Sequence, residues 1–336
     1  MKHLKSILSV IISLLALSAC AQPAATSAAT ATTTQSAATM IQVKLPVGYV
    51  PDIQFAPLYV AIDKGFYQAQ GLDVSIDYSM ENDNTVLVGT GNLDFAVVSG
   101  EQVLLARAQQ LPVVYVMSWY HQYPVGIVTK TSSNIRTVAD LRGKKIGLPG
   151  LYGTSYIGAI ALLDSAGLSQ KDVTLDSIGY NQVAALVADK EDAVVIYTAN
   201  EPLQLTQQGI DYTLFKTSDA VDLVANGLIT NEKTLQENPE LVKKMVAATL
   251  EGIQYASDHP DEAFEISKKY VTNLATTDQH LQMQVLLNSI DQWKTNAPGY
   301  TDPQAWENMQ NILLKMGLLT QPLDLSAAYS NNYLPQ

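Results

Sequence analysis

The chain predicts an α/β protein made of two doubly wound units in series, followed by an all-helical tail. Three observations carry this. Short apolar or period-2 runs alternate with 3.6-period segments over 43–129, and the alternation restarts over 145–215. Such alternation means parallel sheets covered by helices. Extended stretches near 129 and 225 cross between the units, and from 238 onward every periodic segment is helical.

The elements follow in order. A strand over 43–49 leads to a helix over 55–70, whose apolar residues are Leu58, Ala61, Ile62 and Phe66. Next come a strand over 74–78, a short helix over 84–89, a strand over 95–99, a helix over 101–109, and strands over 113–119 and 125–129. The second unit reads as strand 145–148, helix 154–166, strand 173–178, helix 183–188, strand 193–197, helix 202–208 and strand 212–215. A strand over 223–230 returns, and helices fill 238–257, 260–270, 276–293 and 303–316. Asn238-Pro239 and Asp302-Pro303 are helix starts with proline at the first position. The crossings predict two lobes, 41–128 with 226–336 and 129–225, separated by a cleft. Ligands of open α/β sheets sit outside the carboxyl ends of the strands, so this cleft collects loops from both lobes.

Ahead of this body, Lys2 and Lys5 precede an apolar run over 7–17, and Leu17-Ser18-Ala19-Cys20 follows. A basic start, a short apolar core and small residues at the cut are the layout of a secretory leader. The run is shorter than the roughly 20 residues needed to cross a bilayer. Cys20 at the cut resembles the lipobox of bacterial lipoproteins. That likeness implies cleavage after residue 19 and lipid on Cys20, holding the protein to a membrane without spanning it. Residues 21–39 are nearly all Ala, Thr, Ser and Gln, too polar and small to offset their ordering entropy, which predicts a flexible tether over 20–40. Its typical reach is about 25 Å.

Composition removes several classes. About 297 residues remain from Met40 on, enough for one large or two modest cores. The net charge of −12 becomes −14 without Lys2 and Lys5, and no basic patch is present for phosphate contacts, which excludes nucleic acid. Cys20 is the only cysteine, so the body has no disulfide or thiolate chemistry. His3, His121, His259 and His280 are far apart and lack metal-ligand spacing. The three arginines, Arg107, Arg136 and Arg142, lie in helix-like segments away from strand ends, although Arg is the favoured partner of carboxylate, phosphate and sulfonate-like groups. The 17 tyrosines instead cluster in loops. That balance points to a flat, uncharged ligand held by stacking and hydroxyl contacts, while any single tyrosine could equally be a core residue.

Six strand-end loops combine aromatic faces with neutral hydrogen-bonding groups. In the first unit they supply Tyr49, Asp52, Gln54 and Phe55, then Ser99 and Glu101, then Trp119 and Tyr120. In the second they supply Tyr152, Thr154 and Ser155, then Tyr180, then Tyr197 and Asn200. Asn226 at the return crossing completes the candidate ligand-binding set. The Gly150–Thr154 turn lacks the lysine and spacing of a P-loop and reads as a polar backbone cradle. Ser155 misses a nucleophile elbow by one residue and has no histidine placed to activate it. Glu101 and Glu201 each start a helix, and plain helix-start charge is as good a reading as ligand contact.

Several stretches together resemble the bacterial ABC-transporter substrate-binding proteins of the thiamine-precursor and alkanesulfonate group. They are Phe55-Ala56-Pro57-Leu58-Tyr59-Val60-Ala61, Lys64-Gly65-Phe66-Tyr67, Gly71-Leu72-Asp73-Val74, Asp140-Leu141-Arg142-Gly143-Lys144-Lys145-Ile146-Gly147 and Thr230-Asn231-Glu232-Lys233. The likeness spans about 43 to 330. It implies a type II periplasmic-binding-protein fold that closes on its ligand, no enzymatic turnover and no resident cofactor. It also implies a monomer that delivers ligand to a permease subunit, and through it an ATPase, at the extracytoplasmic face of the cell membrane (the periplasmic side if there are two membranes). Gly150-Leu151-Tyr152-Gly153, Ser118-Trp119-Tyr120 and the tail Tyr329-Ser330-Asn331-Asn332-Tyr333-Leu334-Pro335 look most like the riboflavin-transporter members.

Physical weighing agrees with that subgroup. Sulfonate or nitrate needs strong anion donors. Riboflavin and the thiamine pyrimidines (formylaminopyrimidine or hydroxymethylpyrimidine) are flat, neutral and rich in hydrogen-bonding edges. Riboflavin's larger ring and ribityl chain would use more of the aromatic faces and hydroxyl partners, so it leads and the pyrimidines follow. Flavin mononucleotide wants a phosphate clamp. The eukaryotic pyrimidine synthases resemble the same fold but carry a cysteine-rich motif absent here, which makes an enzyme the remote alternative. A lipoprotein scaffold or adhesin would instead predict a cleft with no small-molecule affinity.

Overall fold

The computed structural model describes residues 40–335. The leader over 1–19, Cys20 and the tether up to residue 39 lie outside the described residues. The strands are β1 (Ile41–Val47), β2 (Leu72–Tyr78), β3 (Ala96–Val98), β4 (Val113–Ser118), β5 (Val125–Lys130), β6 (Lys145–Leu148), β7 (Thr174–Ser177), β8 (Ala193–Tyr197), β9 (Tyr212–Lys216) and β10 (Gly227–Asn231). The helices are α1 (Ala56–Asp63), α2 (Phe66–Ala69), α3 (Glu81–Gly89), α4 (Gly100–Ala108), α5 (Gly153–Ser165), α6 (Gln182–Val187), α7 (Glu201–Gln207), α8 (Glu232–Glu237), α9 (Pro239–Asp258), α10 (Pro260–Ser267), α11 (Gln279–Trp293) and α12 (Pro303–Lys315).

Two five-stranded sheets form, in the orders β2-β1-β3-β10-β4 and β7-β6-β8-β5-β9. The orders match: each sheet takes four consecutive strands that run the same way, β1–β4 in one and β6–β9 in the other, and receives one strand that has crossed from elsewhere in the chain. The sheets are mixed, not parallel as expected, because β10 runs antiparallel to β3 and β4, and β5 antiparallel to β8 and β9. Periodicity reports burial and says nothing of direction. β4 is buried throughout and β5 nearly so, the continuous apolar run of a strand covered on both faces.

The first crossing is earlier than the sequence placed it. The division at 128/129 assigned 125–128 to the first lobe, but β5 pairs wholly within the second sheet, so the chain crosses over 119–124. The returning strand is also shorter than 223–230, beginning only at Gly227. The two crossings touch: the Trp119 and Tyr120 N–H groups both donate to the Asn226 carbonyl at 3.1 Å. The helix expected over 55–70 is two helices, because Gly65 takes φ +76 between α1 and α2, a conformation that favours glycine. α8 appears where no separate helix was read, capped by Asn231, whose Oδ1 accepts from Thr234 N at 2.8 Å.

The helical tail packs mainly on the first sheet's side. α9 crosses α1 so closely that a Cβ on Gly252 would lie 2.4 Å from the Pro57 carbonyl oxygen. α11 reaches across: Gln292 Nε2 donates to Thr198 Oγ1 at 2.7 Å, and Asn288 Nδ2 to the Ala199 carbonyl at 3.4 Å. The C-terminal segment lies beside β4, with Ser330 N donating to Tyr115 O at 2.9 Å and Tyr329 stacked on Trp306 at 5.1 Å. Among the described residues no helix is long and apolar enough to cross a membrane.

Candidate functional site

The carboxyl ends of the parallel strands in both sheets face a common cleft, as open α/β sheets require. After β1 the chain turns sharply: Tyr49 adopts φ 73, uncommon for a side chain of its size, and stands exposed at the mouth. Asp52 then caps a short 3-10 turn over Ile53–Phe55, its Oδ1 accepting from Gln54 N at 2.9 Å and Gln54 Nε2 at 3.2 Å. Burial pushes the Asp52 carboxyl above its ordinary pKa.

Deeper in the first lobe lies a buried polar group. Glu81 opens α3 immediately after β2. Its Oε2 accepts from Ser99 N at 3.1 Å and lies 2.7 Å from Ser99 Oγ, while its Oε1 accepts from Asn226 Nδ2 at 3.0 Å. Ser99 Oγ also lies 2.5 Å from Oε1 of Glu101, which is fully buried at the start of α4. Burial, then the Glu81 charge, push Glu101 up to about 7, and burial raises Glu81 as well. Across the cleft, Tyr123 from the first crossing donates to the Thr154 carbonyl at 3.0 Å. Tyr123 and Tyr197 are raised well above the usual tyrosine range, chiefly by burial, with both glutamates adding to the shift.

An aromatic floor adjoins this group. Phe55 and Trp119 have ring centroids 6.2 Å apart, Trp119 and Trp293 5.9 Å, and Tyr120 meets Trp293 edge-on at 6.0 Å. At the mouth, Tyr49 from the first lobe meets Tyr180 from the second edge-on at 5.2 Å. Tyr49, Tyr180, Asn181, Gln182, Asn200 and Glu201 line a pocket of about 500 Å³ there, a volume within the usual range of small-molecule sites. Burial pushes Glu201 up to about 7, and burial with the nearby Asp52 and Glu201 pushes Tyr49 up to about 12.

Four acids, Asp52, Glu81, Glu101 and Glu201, are gathered around these strand ends, with Glu201 in the wall of the mouth pocket and Glu101 fully buried. None of the described ion pairs includes Asp52, Glu81, Glu101 or Glu201. The arginines are engaged elsewhere: Arg107 with the Val113 carbonyl and Glu232, Arg136 with the Thr131 carbonyl, Arg142 with Asp172. Around the polar group and the aromatic floor, Gln54 Oε1, Glu101 Oε2, Asn226 Oδ1 and Gln292 Oε1, with Trp119 Nε1 and Trp293 Nε1, are buried without a protein partner. Native structures leave few such atoms, and four of these six are acceptors. The arrangement suits an uncharged ligand with aromatic rings and several O–H or N–H donors.

The structure gathers the sequence-derived candidates into three groups. Ser99, Glu101 and Asn226 join in the polar group. Phe55, Trp119 and Tyr120 form the aromatic floor, with Asp52 and Gln54 on the turn beside it. Tyr49, Tyr180 and Asn200 line the mouth. Tyr152 is 60% exposed near Tyr180, which senses its charge, and Thr154 and Tyr197 stand on the second-lobe wall. Ser155 is half-buried on α5, and none of the contacts joining the others includes it. Trp119 is 1% exposed, so its large ring is as much core as candidate contact. Reasoning from sequence missed Glu81, Tyr123 and Trp293. Glu81 follows a strand end and was within reach of the rule that located the others. Trp293 comes from α11, far along the chain, with no local signal.

A family model described as NMT1/THI5 like matches residues 52–263. The riboflavin-binding protein RibY of Chloroflexus aurantiacus is 39% identical over 337 residues, covering 97% of this chain and 96% of that protein. The formylaminopyrimidine-binding protein of Halalkalibacterium halodurans is 28% identical, covering 86% and 89%. The 4-amino-5-hydroxymethyl-2-methylpyrimidine phosphate synthase of Legionella pneumophila is 24% identical, covering 88% and 92%. Among solved structures, the periplasmic aliphatic sulphonate binding protein SsuA from Escherichia coli superposes with a TM-score of 0.70 at 15% identity, covering 85% and 91%. At that identity the likeness concerns the fold alone, and the two-sheet architecture here is that of periplasmic binding proteins.

Proposed function

The chain belongs to the NMT1/THI5-like family, and from that premise we propose that it is the extracytoplasmic substrate-binding protein of an ABC importer, with riboflavin as its ligand. The observation that carries the ligand choice is the set of unpartnered acceptors beside aromatic rings, next to a mouth pocket lined by no Lys or Arg. A flavin ring offers faces for Tyr and Phe, and its ribityl hydroxyls and ring N–H offer donors to those acceptors. The riboflavin-binding relative supports the same choice. The cleft disfavours anions, so flavin mononucleotide and sulfonates are poor ligands.

A thiamine pyrimidine is the second reading, favoured by the formylaminopyrimidine-binding relative and by the carboxyls, which suit an aminopyrimidine edge. Relatives named as synthases share the family at lower identity. Cys20 is the only cysteine in this chain, so the body lacks the cysteine-rich motif of such enzymes, and binding without turnover is the reading proposed. The remaining assignments belong with this function: lobes formed by the two sheets with a ligand between them, lipid on Cys20 after removal of the leader, a tether to the membrane, and a monomer that docks on its permease. Replacing Cys20 by Ala is expected to release the protein from the membrane fraction in its native host, and retention of the variant would remove the anchor.

Titration of purified protein into riboflavin, followed by flavin fluorescence, tests the ligand. Saturable quenching that formylaminopyrimidine does not compete away is expected. Heat on adding the pyrimidine with no flavin quenching would move the site to the second reading. Chemical change of either compound would make the protein an enzyme.

A further inference from the structure

We propose that Glu81, Ser99, Glu101 and Asn226 form a proton-holding subsite that takes the donor-rich, uncharged part of the ligand and loosens its grip when Glu101 loses its proton. The proposal rests on the cleft being the ligand site and names the group that selects within it.

Proton counting carries it. Ser99 Oγ has one proton but lies within hydrogen-bond distance of two carboxyl oxygens, at 2.7 Å from Glu81 Oε2 and 2.5 Å from Glu101 Oε1. One of the two contacts must be filled by a carboxyl proton. Glu81 receives donors on both oxygens, from Ser99 N and Asn226 Nδ2, which favours its charged form. Glu101 is fully buried, and although its own N–H and the Gln102 side chain lie near enough to lower its pKa in part, Ser99 Oγ is the one contact of full hydrogen-bond geometry its carboxyl makes among the described residues. The consistent assignment has the Ser99 hydroxyl donating to Glu81 and neutral Glu101 donating from Oε1 to Ser99 Oγ. The pair then holds one negative charge and one proton, and burial together with the Glu81 charge keeps that proton up to about pH 7.

Two acceptors are left over, Glu101 Oε2 and Asn226 Oδ1. They belong to different elements, and Asn226 is no acid. Asn226 is also where the two crossings meet, since its carbonyl accepts from Trp119 N and Tyr120 N. The groups facing the pair from the other lobe are Tyr123, Tyr197 and Tyr180, all neutral below their raised pKa values, and no cation is among them. The subsite thus accepts hydroxyl or N–H donors and repels anions. Loss of the Glu101 proton leaves two adjacent buried carboxylates and one hydroxyl proton to divide between them. That sets two like charges against each other in a buried site where the two crossings meet, and their repulsion opposes closure on the ligand.

The test follows riboflavin affinity from about pH 6 to about pH 9 for the wild type and Glu101→Gln, whose amide can donate to Ser99 at every pH. The wild-type Kd is expected to rise toward tenfold per pH unit above Glu101 titration, and that slope to vanish in Glu101→Gln. A flat wild-type profile, or the same slope in both proteins, overturns the proposal while leaving riboflavin as the ligand. Infrared difference spectra of the ligand-free wild type supply an independent readout. A protonated-carboxyl band that disappears over the same range and shifts in Ser99→Ala is expected. If riboflavin does not bind or Glu101→Gln fails to fold, this band decides: because Glu201 also holds a proton at about pH 6, the lack of any protonated-carboxyl band that shifts in Ser99→Ala overturns the proton-holding pair.

Discussion

At the scale of single residues, burial separates positions that look alike in sequence. Trp119 and Tyr180 are both strand-end aromatics, yet the first is 1% and the second 67% exposed. Truncating a fully buried Trp removes packing on every side, and Trp119→Ala is expected to cost about 3–5 kcal/mol in urea unfolding. Tyr180→Ala should leave unfolding within about 0.5 kcal/mol and weaken riboflavin roughly tenfold, through loss of the aromatic wall opposite Tyr49. Equal affinity in the Tyr180 variant would take the mouth out of the site. Glu201 gives a pH prediction with a defined sign. Its folded pKa is raised to about 7 by burial, above the ordinary carboxyl value. The folded state holds the proton where the unfolded state has released it, so this contribution is full at low pH and is lost as pH rises through about 7. Thermal unfolding should show Glu201→Gln gaining on the wild type between pH 5 and pH 8, by at most on the order of 3 kcal/mol. A constant difference across that range would mean Glu201 titrates normally.

At the scale of elements, close helix approach sets a limit that propensity does not show. Gly252 lies mid-way along α9, where Ala would ordinarily add about 1 kcal/mol of helix stability. Its Cβ would sit 2.4 Å from Pro57 O and 2.8 Å from Ala61 Cβ on α1, a backbone clash that flexible side chains cannot relieve. Overpacking costs about 1–3 kcal/mol, so Gly252→Ala is expected to lower the unfolding midpoint; a raised midpoint would show that α9 slides freely over α1. The element types were legible from period and apolar runs because both are local. Strand direction was not, since β5 and β10 have the same buried pattern whether parallel or antiparallel. The break at Gly65 was in plain sight as a glycine inside an apolar repeat, but only the φ of +76 turns it from a tolerated glycine into a boundary.

At the scale of the whole molecule, two crossings tie the sheets together, and a ligand held by both lobes binds the native state alone. Riboflavin at about 100 times its Kd should therefore add about 2.7 kcal/mol to unfolding, read as a rise in Tm. Flavin mononucleotide should give a much smaller rise at equal concentration, because no Lys or Arg is among the residues lining the mouth pocket and the arginines are engaged elsewhere. Equal shifts would show that the phosphate stays outside in solvent.

What the sequence determined by itself is what depends on neighbours along the chain: two α/β units, a helical tail, and loops rich in tyrosine and poor in arginine. Those loops lie at strand ends, and strand ends face the cleft in any open α/β sheet, so much of the candidate set was within reach before the fold was known. The tertiary structure decided what depends on residues far apart in sequence. It brought Glu81 and Asn226 to within 3.0 Å across 145 positions, placed Trp293 of the helical tail against Trp119, and moved β5 into the second sheet. It also left Ser155 outside those contacts. Burial and contacts such as these arise only when distant strands close on one another, which no local run of sequence records.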